Sequence, residues 1–456
     1  MVGVETRAAY QWQTLADREL ASAALEVALE VASRLRQPGQ IETAVLEAKL
    51  QSDPKGGPQW AAHSLAQGYS GIALLFGYLD RCFPGDGWEV SAHEYLEIAA
   101  HAAATQASLA PSVFSGLGGL AYAASYLSRS GARYQRLLET LDRSLIAKLK
   151  PVVADLRAQC DGVNVRGFDV ISGLSGLGVY LLGRLGFGDA REALEEVVGC
   201  LIELSQEHDG LPRWHTPSRL SSPDDFMLQQ FPNGYLNGGL AHGAPGLLGT
   251  LSLARLGGVD REGHGEAIDR LAAWLATHRA DDEWGVNWPT GVGLSPEGDR
   301  GSGTAAPSAA PPAPTGWCYG SPGVARALYL AGIALQKPEY CELAVRAIEA
   351  VLRRPASSRR IPSPTFCHGV AGLLEIVLRF ANDVPSETMR DGATALTRQL
   401  LALYEPQSLL GFRSVALGGV RVDQPGLLDG APGVALVLIA SAREVEPAWD
   451  RIFLLS

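Results

Sequence analysis

Charge is scarce in this chain. Only 19% of its 456 residues are charged, and 38 basic side chains face 49 acidic ones, for a net −11. A nucleic-acid binder carries a basic patch, so that class is set aside and no nucleic-acid partner is expected. The opening residues, MVGVETRAAYQWQTLADREL, hold no basic stretch followed by an apolar core. They do not read as a secretory signal. Long apolar runs are also missing. The longest uncharged stretch, 226–254, contains Pro232, Asn233, Asn237, His242, Pro245 and many glycines. A bilayer span needs ~20 mainly apolar residues, so this stretch reads as buried globular chain. Six cysteines (82, 160, 200, 318, 341, 367) are too few for a disulfide scaffold in so long a chain. Reduced thiols, a cytoplasmic setting and buried packing are the default expectation. Long β-type alternation is absent. Disorder is excluded by the 46% hydrophobic content.

Glycine, by contrast, is abundant, at 52 residues. Much of it belongs to an internal repeat, the first thing to seek in a long chain. A Gly-x-x-Gly followed by an aliphatic residue occurs seven times: Gly68–Gly71, Gly116–Gly119, Gly173–Gly176, Gly243–Gly246, Gly320–Gly323, Gly369–Gly372 and Gly430–Gly433. Each copy leads into a short, almost uncharged apolar run, such as GIALLFGYL at 71–79. A helix apolar on all sides must be buried. Between copies lie amphipathic stretches. In 189–206, Leu194, Val197, Val198, Leu201 and Ile202 fall at helical spacing, as do Ile268, Leu271, Ala272 and Leu275 in 265–278.

Seven alternations of buried and half-exposed helices predict an all-α fold. The expected form is a double-layered α/α toroid of seven inner and seven outer helices, a single domain over 1–456. An open helical solenoid is the alternative arrangement. Glycine at each inner helix start permits close approach and special backbone angles, and proline in the first turn fits. Residues 291–315, rich in Gly, Pro, Ala and Ser, predict a flexible loop, either a lid or a tolerated insertion.

The repeats also act as controls for one another. The two residues before each first glycine are Ala66-Gln67, Phe114-Ser115, Ile171-Ser172, Ala241-His242, Cys318-Tyr319, Cys367-His368 and Leu428-Asp429. The first three pairs are chemically bland; the next three bring Cys, His and Tyr to equivalent positions. In a ring these positions face one end of the central cavity, so Cys318, Cys367 and His368 converge. Two thiolates and an imidazole suit Zn²⁺ with a fourth position open, as in catalytic sites. The competing reading is a polar plug in the ring axis.

Gly316-Trp317-Cys318-Tyr319-Gly320, Phe366-Cys367-His368-Gly369 and Leu240-Ala241-His242-Gly243 resemble the lanthionine synthetase C-like family, the cyclases of lanthipeptide biosynthesis. The resemblance spans nearly the whole chain and looks like the free-standing class I type. It implies a zinc-bearing α/α toroid acting on a dehydrated precursor peptide. Cysteine thiols of that peptide would add to dehydroalanine or dehydrobutyrine, giving thioether rings. By this match Cys318, Cys367 and His368 bind one Zn²⁺ per chain, His242 is the acid/base, Asp169 is the aspartate near the third repeat, and Tyr319 lines the site. Asp169 would orient His242 or take the thiol proton; alternatively it is a helix N-cap. A dehydratase and an exporter are implied as partners, and through them a peripheral place at the membrane.

There is one departure. Some members have an arginine where this chain has Pro314. Arg326 and Arg300 are the substitutes considered. His208, His215, His264 and His278 are expected to be solvated, and Trp284 and Trp288 to pack in the core. Other functions stay open: a non-catalytic peptide-binding scaffold, addition of glutathione to dehydroamino acids, or a glycosidase, which would need paired carboxylates.

Overall fold

The seven uncharged runs form seven buried helices: Tyr69–Cys82, Leu117–Leu127, Leu174–Leu182, Ala244–Leu256, Ser321–Leu335, Val370–Asp383 and Ala431–Ala442. In the last of these every residue from Ala431 to Ser441 is buried. The computed structural model describes residues 11–51, 60–222, 225–295, 313–415 and 419–456. Around the inner helices, among the described residues, stand seven outer ones: Arg18–Leu35, Trp88–Ala104, Gln135–Ala158, Ala190–Leu204, His264–Thr277, Pro338–Arg353 and Glu387–Leu401. The outer helices are one-sided. Pro338–Arg353 buries Tyr340, Leu343, Ala344, Ala347, Ile348, Ala350 and Val351 and exposes its charged face. The fold is an α/α toroid. No helix among the described residues is long and apolar enough to cross a membrane.

The ring closes, which decides between toroid and open solenoid. The seventh inner helix packs on the sixth and on the first, and its outer partner is the N-terminal helix Arg18–Leu35. Trp12 Nε1 donates to the Ala440 carbonyl at 2.8 Å, just ahead of that outer helix. The glycines record the same closure. A Cβ on Gly119 would lie within 3.0 Å of Leu65 in the preceding repeat, and one on Gly71 within 3.0 Å of Leu427 in the seventh. A Cβ on each second glycine would likewise lie within that distance of the carbonyl six residues before it. The first glycines are the N-caps of the inner helices, in extended backbone, save Gly320 at φ 103°. Close approach, more than special angles, is what these positions require of glycine.

The axis is filled from below by the C-terminal turn Ala448–Phe453, which the repeat pattern did not foretell. Phe453 packs against Phe114, Trp317 and Phe366, edge to face on the tryptophan and tilted on the others, with centroids 5.5, 5.2 and 4.1 Å away. Asp450, fully buried, pairs with Arg379 at 2.6 Å.

Among the described residues, three small antiparallel sheets interrupt the helices. They pair Glu207–His208 with Leu211–Pro212, Thr216–Pro217 with Gly234–Asn237 and Gly291–Gly293, and Arg413–Val415 with Arg421–Asp423. The expected loop at 291–315 therefore begins as a strand; residues 296–312 of it lie outside the described residues.

Candidate metal centre and adjoining cavity

A belt of backbone hydrogen bonds runs around one mouth of the toroid. Ala66 N donates to Phe114 O (2.9 Å), Phe114 N to Ile171 O (3.3 Å) and Val170 N to Ala241 O (3.1 Å). Ala241 N donates to Cys318 O (3.2 Å), Cys318 N to Cys367 O (3.1 Å) and Cys367 N to Leu428 O (2.9 Å); Leu428 N returns to Ala66 O (3.3 Å). Each repeat thus joins the next, and the seventh joins the first. Residues far apart in sequence become neighbours because they hold equivalent places in this belt.

Cys318 and Cys367 are adjacent in the belt, and His368 follows directly. Their ligand atoms all lie within 4.8 Å of one another. Zn–S bonds of about 2.3 Å at a tetrahedral ion set sulfurs ~3.8 Å apart, so small side-chain rotations bring this trio onto one ion. The donor set fits. The Cys318 thiol is pushed well below its ordinary range by a hydrogen bond from Cys367, burial notwithstanding, with help from His368 and His242. Cys367 is pushed up by that same bond. His368 is raised to about 9, chiefly by Cys318 and then Asp429. The carboxylate of Asp429 stands 3.5 Å from His368 Nδ1.

His242, one belt position before Cys318, has a firm partner. Its Nδ1 lies 2.6 Å from Asp169 Oδ2. Asp169 is fully buried, and its Oδ1 accepts from the Ser172 and Gly173 amides at 2.6 and 2.9 Å. Asp169 thus holds the turn ahead of Leu174–Leu182, whose N-cap is Gly173, and meets the imidazole with its other oxygen. Burial disfavours the His242 cation, but Asp169, with Cys318 and Asp225, outweighs it and raises the pKa from 6.5. Tyr319 stands against His242, centroids 6.1 Å apart. Its hydroxyl accepts from Asn237 Nδ2 at 2.9 Å, and burial pushes its pKa up.

A cavity of about 710 Å³ opens beside His242, Asp169 and Tyr319. Its far wall includes Asn164, Arg166, Asp225, Phe226 and Tyr235. Phe226 is half exposed and meets Tyr319 edge to face at 5.6 Å. None of these wall residues stood out in the sequence. They come from connections between helices, where no repeat fixes the path; Asn164 and Asp225, each capping a short helix, left only a cap signal.

Several expectations are corrected. Arg326 is not at this mouth: it is buried beside the C-terminal segment, bonded to Leu455 O and paired with Asp383. Arg300 lies outside the described residues. His215 and His264 are buried rather than solvated, their rings bonded to the carbonyls of Pro212 and Leu251. Cys160 is exposed. Trp288 is core, its Nε1 donating to Leu275 O at 2.8 Å, whereas Trp284 is only half-buried, against Arg354.

A model of the lanthionine synthetase C-like protein family matches residues 59–454. The nisin biosynthesis protein NisC of Lactococcus lactis subsp. lactis is 26% identical over 368 residues, 79% of this chain and 84% of that protein. Among solved structures, a nisin cyclase superposes with a TM-score of 0.73 at 22% identity, covering 91% of this chain and 96% of that one. At that identity the likeness speaks for the fold alone.

Proposed function

Because the chain belongs to the lanthionine synthetase C-like family, we propose that it is a zinc-dependent lanthipeptide cyclase. It joins cysteine thiols of a dehydrated precursor peptide to dehydroalanine or dehydrobutyrine, forming lanthionine and methyllanthionine bridges. One observation carries this reading: the Cys318–Cys367–His368 trio shares a mouth of the ring with an Asp169-supported His242. The similarity to a nisin biosynthesis protein supports a peptide as substrate. Such a substrate must be supplied by a dehydration of serine and threonine side chains.

The chemistry explains the groups. A free thiol is only ~3% thiolate at neutral pH. Zinc in this trio would supply a deprotonated peptide thiol. The new bond joins sulfur to the β-carbon, and the electron pair of the C=C bond moves toward the adjoining carbonyl. A proton must then reach the α-carbon, balancing the one lost from sulfur. His242 holds that proton, with its Nδ1 engaged by Asp169 and Nε2 left to deliver it. Tyr319, kept neutral by burial, offers a hydroxyl on the same wall. Arg166 is the basic side chain lining the adjoining cavity, and it offers its charge to the carbonyl oxygen as negative charge develops.

The test is direct. The purified protein is incubated with a dehydrated, cysteine-containing peptide, and free thiols are counted by alkylation and mass spectrometry. The wild type should consume thiols without change of peptide mass. His242→Asn should retain zinc yet consume them at least ~10²-fold more slowly. A protein that binds the peptide and leaves every thiol free would instead be a scaffold.

A further inference from the structure

The residue before each first glycine lines the belt, and three of these stand side by side across the seam where the ring closes. They are His368 of the sixth repeat, Asp429 of the seventh and Gln67 of the first. Asp429 Oδ1 is 3.5 Å from His368 Nδ1. Asp429 Oδ2 accepts from Gln67 Nε2 at 3.1 Å. Gln67 is itself buried, and its amide is wedged against Gly426, where a Cβ would not fit. Its backbone N–H is held by Ser64 Oγ at 3.1 Å. The carboxylate is thus anchored on one side only, and its buried Oδ1 has no hydrogen-bond partner of its own.

We propose that Asp429, anchored by Gln67, is the positioning residue that sets His368 for the metal. The need is visible in the packing. The His368 side chain is 49% exposed, so its neighbours do not lock the ring by contact. A carboxylate beside one ring nitrogen selects the tautomer with its proton on that side and leaves the other nitrogen's lone pair for an ion. Asp169 makes a tighter pairing of this kind with His242, a hydrogen bond of 2.6 Å, whereas Asp429 and His368 stand 3.5 Å apart. The arrangement exists only in a closed ring, because the sixth, seventh and first repeats must be consecutive around it.

This inference rests on the zinc reading above, and the test separates the two. Zinc affinity is measured by competition with a chromogenic chelator for the wild type, Asp429→Asn and Gln67→Leu. Asp429→Asn keeps the shape and should bind zinc ~10- to 100-fold more weakly. Its cobalt-substituted form should show shifted ligand-field bands while sulfur-to-cobalt charge transfer persists, a change that a general loss of stability would not cause. Gln67→Leu, remote from the ion, should weaken binding in the same direction, and it carries the test if Asp429→Asn does not fold. Wild-type zinc affinity and an unaltered cobalt spectrum in Asp429→Asn would overturn the inference and leave the zinc reading standing. A wild type that binds no zinc would overturn both.

Discussion

His242 and Asp169 are where a single proton decides the outcome. The carboxylate raises the histidine's pKa above 6.5, so the imidazolium persists toward neutral pH and is lost only as pH rises through the raised value. Cyclisation should therefore decline on the basic side. Asp169→Asn removes the group that raises the pKa, so its basic limb should move to lower pH and its maximal rate should fall, read from pH–rate profiles of thiol consumption. An unmoved limb would remove His242 from the proton step. Most of this site was legible in the sequence for one reason: Cys318, His242, Cys367, His368 and Tyr319 occupy repeat-equivalent positions, and equivalence in a ring means proximity. Arg166, Asn237 and Phe226 were not legible, because they lie on connections of unequal length whose path no periodicity fixes.

Helices and glycines can be tested as elements. A Cβ on Gly372 would press within 3.0 Å of the Phe366 carbonyl, and Trp317 stands close by on the neighbouring repeat. Gly372→Ala should cost about 1–3 kcal/mol by overpacking. Gly39, in the surface helix Pro38–Gln51, has nothing within 4 Å of a Cβ; Gly39→Ala should stabilise by roughly 0.4–1 kcal/mol through the unfolded chain. Denaturant titration of the two variants separates a glycine the ring needs from one it does not; equal effects would contradict the close-approach argument. The buried and one-sided helices were readable because their period persists over many residues. The strands were not, since at two to four residues they are shorter than any alternation that could announce them.

At the scale of the whole molecule, closure and the axial plug are coupled to the site. The residues beneath the two cysteines, Trp317 and Phe366, both rest on Phe453. Phe453→Ala should lose about 3–5 kcal/mol of stability, and zinc affinity should fall with it because the floor under Cys318 and Cys367 gives way. Undiminished zinc binding in that variant would mean that the belt holds the trio unaided. The repeats pointed to the ring, with the open solenoid as the alternative; the contacts at the closure add a C-terminal turn and an N-terminal helix that carry no repeat signal. The central claim is that this closed belt brings two sulfurs and one nitrogen onto one ion. Zinc K-edge X-ray absorption of the purified protein tests it most directly. One zinc per chain is expected, with two sulfur neighbours at about 2.3 Å and the remainder nitrogen or oxygen. A zinc shell without sulfur, or with four, would contradict it.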